Sequence, residues 1–152
     1  MFLKCNLRIN NQGQIIHIDF GFVFGFAPGK QFSMETAPWK MTDELLEPMK
    51  SPTTQTNPLI AHFKQLCTAA LAAARKHSDI LLSLMEIMIY KSNFPSLLYN
   101  KNAIEDFKNR LMLNIPDSKL SDEIEKLFNK SVGHTGTYGY DQFQLITNGI
   151  SP

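Results

Sequence analysis

Excess charge of either sign, cysteine and long apolar runs are all scarce in this chain. Its 152 residues hold 15 lysines and arginines against 14 aspartates and glutamates, a net charge of +1 with histidine neutral. No field of one sign exists to gather nucleic acid, and a nucleic-acid partner is not expected. The two cysteines, Cys5 and Cys67, lack the spacing of a metal site and suit a reducing compartment. No apolar run reaches the roughly 20 residues that a bilayer span requires. The opening Met1-Phe2-Leu3-Lys4 does not read as a signal peptide. No internal repeat or low-complexity tract is present, although Ala69 to Ala74 is locally rich in alanine. His62, His77 and His134 show no partner spacing for zinc or a triad, and no nucleophile motif is visible. What remains is a chain with 43% hydrophobic and 19% charged residues, the balance of a globular domain rather than of disorder. Its length suffices for one domain with a real core.

The coarse pattern is a hairpin, a long loop and then helices. Leu7 to Ile9 and Gln14 to Phe20 read as two strands joined at Asn10-Asn11-Gln12-Gly13, where Asn and Gly tolerate positive φ. A loop rich in Phe, Gly and Pro follows from about Gly21 to Lys40. Thr42 is placed to cap a short helix through about Leu46, and Pro48, Pro52 and Pro58 bracket a polar linker, Lys50 to Asn57. Apolar residues then recur at helical spacing from Ile60 to Ala74, with Arg75, Lys76 and His77 in the last turn, where the helix dipole favours cations. Ser78 is placed to cap a helix to about Lys91 whose apolar residues lie all round, which predicts burial in a larger body. Further helices are predicted over Asn102 to Met112, over Asp122 to Lys130 with Ser121 as cap, and, after a Gly-rich stretch from Gly133 to Gly139, over Tyr140 to about Thr147. A self-sufficient domain would be expected to pair more strands.

The most informative stretch is His17-Ile18-Asp19-Phe20-Gly21, which closes the apolar run Ile15-Ile16. An Asp at the end of a buried strand, followed by Phe-Gly, is how kinase-like folds present a metal-binding carboxylate to ATP phosphates. The tripeptide alone is weak, but its context is specific. Asn6 is followed by Gly13 and by His17 to Gly21 at the spacing of a segment found in the phosphatidylinositol 3- and 4-kinases, and the chain resembles that family along nearly its whole length. The stretch Ser33-Met34-Glu35-Thr36-Ala37-Pro38-Trp39-Lys40-Met41-Thr42 and the tail Tyr140-Asp141-Gln142-Phe143-Gln144-Leu145-Ile146-Thr147-Asn148-Gly149-Ile150 are similar to the type III beta subfamily of the 4-kinases. The tail is the more discriminating of the two, because the 3-kinases end differently. Resemblance is thin from Ser51 to Lys101.

The resemblance implies an α+β fold, the carboxy-terminal lobe of a protein-kinase-like domain, in which a short β-hairpin and an activation loop precede a mostly helical bundle. Residues 1–152 would form part of a phosphatidylinositol 3-/4-kinase catalytic domain. Asn6 and Asp19 resemble the family's metal ligands. They would hold the Mg2+ ions, with Mn2+ as an alternative, that bridge the phosphates of ATP. Ile18 would border the nucleotide. His17, beside Asp19 on the strand, is either catalytic or a structural strand histidine. The loop from Phe20 and Gly21 to Trp39 and Lys40 would read the lipid headgroup. Between Phe20 and Trp39 the only basic residue is Lys30, which suits phosphatidylinositol with its single phosphodiester charge rather than a more phosphorylated inositide. An ordinary solvated lysine remains the other reading of that residue. Phe22, Phe24, Phe26 and Phe32 would pack against the lobe or touch membrane. The tail helix, with Tyr140, Phe143, Leu145 and Ile146, would lie on a bilayer or against the lobe.

Two departures from the family stand out. Met1, Phe2 and Leu3 occupy the places of its catalytic Asp, Arg and His, and Met49-Lys50-Ser51 replaces its Met-Gly-Gly. A Gly-rich phosphate loop and its Lys have no candidate in the sequence, so an amino-terminal lobe is the missing partner. The implied activity is transfer of the ATP γ-phosphate to the 4-hydroxyl of phosphatidylinositol, by a cytoplasmic enzyme peripheral on endomembranes such as the Golgi. On this reading the isolated chain is inactive, whether as a fragment of a larger enzyme or as a degenerate product. The alternative is a non-catalytic kinase-like module that binds a partner or a membrane.

Overall fold

The computed structural model describes residues 7–17, 23, 36–50, 57–98 and 100–149. Strand β1 (Leu7–Ile9) pairs antiparallel with β2 (Ile15–His17), Leu7 facing His17 and Ile9 facing Ile15. The turn between them is built by Asn10, whose side-chain carbonyl oxygen accepts from the amides of Gln12 and Gln14 at 2.9 Å each. Gly13 supplies the positive φ, +76°, that closes it. The strand residues expected at Ile18 to Phe20 lie outside the described residues.

Seven α-helices are described. They are α1 (Asp43–Leu46), α2 (Pro58–Lys76), α3 (Ser78–Ile89), α4 (Pro95–Leu98), α5 (Ala103–Leu111), α6 (Leu120–Ser131) and α7 (Thr135–Asn148), with short 3-10 turns at Glu47–Met49 and Asp117–Lys119. The long central pair is α2 with α6. Helix α6 buries Leu120, Ile124, Phe128 and Ser131, one face at the 3.6-residue period. Phe128 meets Phe63 of α2 with ring centroids 6.1 Å apart, and Phe63 meets Trp39 edge-on at 6.4 Å. Met41, Leu46 and Phe128 form the buried centre of this cluster, with Trp39, Ile60 and Phe63 packed around it. Burying one such large apolar side chain is worth about 1.5–3 kcal/mol. A second centre joins Met85 of α3, Leu97 of α4 and Ala103 of α5.

Arg75, in the last turn of α2, ties that helix to the end of α5. Its guanidinium donates to the main-chain oxygens of Leu111, Met112 and Ile115 and pairs with Asp117 at 3.1 Å. The carbonyls left over at the end of α5, where Met112 turns left-handed at φ +51°, are thereby satisfied by a cation.

Several predicted helix boundaries are corrected. Thr42, Ser78 and Ser121 make no capping bond. Thr42 precedes α1 without a side-chain contact to its amides, α3 already includes Ser78, and α6 begins at Leu120. Helix α7 starts at Thr135 rather than Tyr140 and takes in Gly136 and Gly139, because the chain break falls at Gly133, whose φ is +63°. Helix α4 was not expected. The larger body expected to bury α3 is not supplied by the described residues. Met85 alone is buried, while Ile80, Leu84, Ile87 and Met88 form an outward stripe, Ile87 being 70% exposed.

Candidate functional site

Asn6, Ile18, Asp19, Phe20, Gly21 and Lys30 lie outside the described residues, so the proposed metal, nucleotide and headgroup ligands rest on their sequence pattern. His17 is placed by its backbone, at the end of β2 opposite Leu7. Among the described residues no group of three or more His, Cys, Asp or Glu side chains converges as a metal site would require. No described helix is long and apolar enough to cross a membrane.

The two remaining site candidates, Trp39 and Lys40, are in full view. Trp39 donates its amide to the Ser131 hydroxyl at 3.0 Å, and that hydroxyl donates in turn to the Leu127 carbonyl at 2.8 Å. Its ring lies edge-on to Phe63. Lys40 forms an ion pair with Asp141 of α7, and both side chains are largely buried, 8% and 14% exposed. The Lys40 ammonium also sits 5.8 Å from the centre of the Tyr140 ring. Met41 makes a single parallel bridge with Val132, and the Thr36 hydroxyl lies 3.4 Å from His134 Nε2. Thr36, Trp39, Lys40 and Met41 are therefore each fastened to the corner between α6 and α7.

A cavity of about 440 Å³ opens beside this seam, lined by Thr42, Asp43, His134, Thr137, Tyr138 and Asp141 among others. His134 Nδ1 and Thr137 Oγ1 are buried there without a hydrogen-bond partner. Reading the sequence gave no role to His134 and saw Asp141 only as one letter of a tail motif. Their partners lie about a hundred residues upstream, and no local periodicity carries such a signal.

Comparison with known proteins adds a lineage to this geometry. The family pattern described as "Phosphatidylinositol 3- and 4-kinase" matches residues 4–96. A protein of Dictyostelium discoideum named phosphatidylinositol 4-kinase is 37% identical over 145 residues, covering 95% of this chain and 12% of the relative. Phosphatidylinositol 4-kinase beta of Xenopus tropicalis is 32% identical over 145 residues, covering 95% and 17%. Phosphatidylinositol 4-kinase beta 1 of Arabidopsis thaliana is 34% identical over 146 residues, covering 95% and 13%. The chain thus spans less than a fifth of the length of these relatives.

Proposed function

The chain belongs to the phosphatidylinositol 3- and 4-kinase family, and from that premise we propose that it is the carboxy-terminal lobe portion of a phosphatidylinositol 4-kinase. The observation that carries the reading is the match of 95% of the chain to proteins named for that activity. The spacing of Asn6, Gly13 and His17 to Gly21 supports it. The reaction would move the γ-phosphoryl of ATP to the 4-hydroxyl of phosphatidylinositol at a membrane surface.

In this reading Asn6 and Asp19 hold Mg2+, which supplies charge neutralisation on the ATP phosphates. His17 and Ile18, next to Asp19 in sequence, would flank that site. The loop from Phe20 to Lys40 faces the lipid, with Lys30 as the cation for one phosphodiester. Positioning and charge stabilisation carry most of such a reaction, so a firmly held loop contributes directly to rate. The ties from Thr36, Trp39, Lys40 and Met41 to α6 and α7 support a fixed end for that loop. A Gly-rich loop and its Lys, needed to grip the phosphates, would come from an amino-terminal lobe.

A graft tests the reading. Residues 4–152 replace the matching segment of the Dictyostelium relative, whose own preceding residues are kept, and the product is assayed with ATP, Mg2+ and phosphatidylinositol vesicles. Phosphatidylinositol 4-phosphate is the expected product, and Asp19→Ala in the graft should abolish it. A soluble graft that makes no lipid product, or makes the 3-phosphate, overturns the assignment. The isolated chain is expected to make no product. The competing reading, a non-catalytic module, draws on Met1, Phe2 and Leu3 standing where the family places Asp, Arg and His. Product formed by the isolated chain would remove it.

A further inference from the structure

The cavity between residues 41–43 and the start of α7 has no part in the proposed reaction. Its volume, about 440 Å³, falls in the range of about 300–1,000 Å³ in which small ligands are usually held. Thr137, the third residue of α7, belongs to its wall and is 6% exposed, and its Oγ1 has no hydrogen-bond partner. The same holds for the buried Nδ1 of His134, the residue that precedes the helix. Leaving two neighbouring polar atoms buried and unpaired is costly, so a bound group that pairs them is favoured. The charges around the cavity narrow what that group is. Asp43 and Asp141 line it, and no lysine or arginine stands among the described lining residues. Lys40 bonds Oδ1 of Asp141, which leaves Oδ2 as an acceptor. An oxyanion would meet two carboxylates and no free cation. A metal ion would lack ligands, since no three acidic, His or Cys side chains converge among the described residues.

A neutral hydroxyl meets every demand of this lining. It donates to a carboxylate, accepts from the Gln142 amide, and pairs in either sense with the Thr137 hydroxyl or a neutral imidazole. Tyr138 also lines the cavity, and at 70% exposure its ring stands at the rim, where an aromatic face can cover the C–H face of a ligand. We propose that this cavity binds a free, neutral polyhydroxylated ring, a cyclitol or a hexose. Thr137, Gln142 and Oδ2 of Asp141 bond its hydroxyls, and Tyr138 packs on its apolar face. The Lys40 bond holds the Asp141 carboxylate in place for this contact. A phosphate ester on the ring would be repelled by the two acids, so the site is separate from any phosphorylated or lipid-linked substrate. The proposal needs no nucleotide and no membrane, and it stands or falls independently of the lipid-kinase reading.

The test is saturation-transfer NMR on the full 152-residue chain, with myo-inositol and methyl α-glucoside as probes. Folding of every protein is checked by circular dichroism. At least one probe should receive transfer and titrate in the millimolar range, as suits a ligand with so few heavy atoms. Inorganic phosphate in large excess should not displace it, and myo-inositol 1-phosphate should bind more weakly than myo-inositol. Thr137→Val keeps the shape of the side chain and removes the hydroxyl, and it should weaken binding about tenfold. Tyr138→Ala should weaken it too, while Tyr138→Phe, which keeps the ring face, should not. A folded wild type that gives transfer to neither probe overturns the proposal. So does displacement by phosphate, tighter binding of the phosphorylated ring, or a folded Thr137→Val that binds as well as wild type. Should Thr137→Val fail to fold, the exposed Tyr138 decides the matter, and unchanged binding by Tyr138→Ala overturns the proposal.

Discussion

Ser131 illustrates how much one hydroxyl can hold. It is fully buried at the end of α6, accepts from the Trp39 amide and donates to the Leu127 carbonyl. The second bond is the ordinary back-bond of a helical serine, and the first joins two segments that are remote in sequence. Ser131→Ala keeps the helix but removes the partner of the partly buried Trp39 amide, at a cost of about 0.5–1.5 kcal/mol. Urea unfolding of the two proteins should show a lower midpoint for the variant with an unchanged slope. Equal midpoints would mean that the Trp39 amide finds water. Nothing in the sequence around Ser131 marks it out. A serine in the last turn of a helix reads as a surface residue, and its partner becomes visible only when Trp39 is folded against it.

At the scale of elements, α2 and α6 are joined by charge as well as by rings. Lys64 reaches both Glu125 oxygens at 2.7 Å, its ammonium lies 4.4 Å from the Phe128 ring centre, and Asn129 adds a hydrogen bond to Glu125 at 3.2 Å. The Lys64 bond, followed by the one from Asn129, holds the Glu125 carboxyl below its usual range. A carboxyl that is more acidic folded than unfolded adds stability above its unfolded pKa and loses it as pH falls through the folded one. Wild type should therefore exceed Glu125→Gln in unfolding midpoint near neutrality, and the gap should close on acidification below the carboxylate range. It should also narrow at high salt, since Glu125 is half exposed and screening is effective there. A gap that persists in acid would assign the effect to packing.

The helices themselves were largely legible. The period in α2, the apolar rows of α5 and α6, and the cations ending α2 all lie within one turn of each other and can be read from a single strand of text. The start of α7 was hidden for a physical reason. Gly136 and Gly139 disfavour a helix by propensity alone, and tertiary packing of Tyr140 and Thr137 overrides that cost. The caps read at Thr42, Ser78 and Ser121 show the reverse limit, because a side chain able to cap is not obliged to do so.

Across the whole molecule the conspicuous feature is the outward stripe of α3. Ile80, Leu84, Ile87 and Met88 follow one another along one face and point away from both core centres, while Met85 faces inward. The sequence reads as an apolar helix buried in a larger body, and the exposed stripe is the face such a body would cover, because periodicity measures which residues are apolar and not how many neighbours exist to cover them. Such a face promotes self-association. Leu84→Ser with Ile87→Ser should lower light scattering at high concentration and shift the stability by no more than about 0.5 kcal/mol, as exposed positions do. A large drop in the thermal midpoint would show that the stripe is covered within the folded chain.

The fastening of residues 36–41 to the α6–α7 corner also has a consequence in time. A ribosome lays down Lys40 a full 101 positions before Asp141. At about 5–20 residues per second, the nascent polypeptide waits of the order of 5–20 s for that mate to be synthesised. The segment ending at Lys40 can therefore be fastened only once α7 has been made, so this seam closes late relative to the turn and the helices that lie between its two halves.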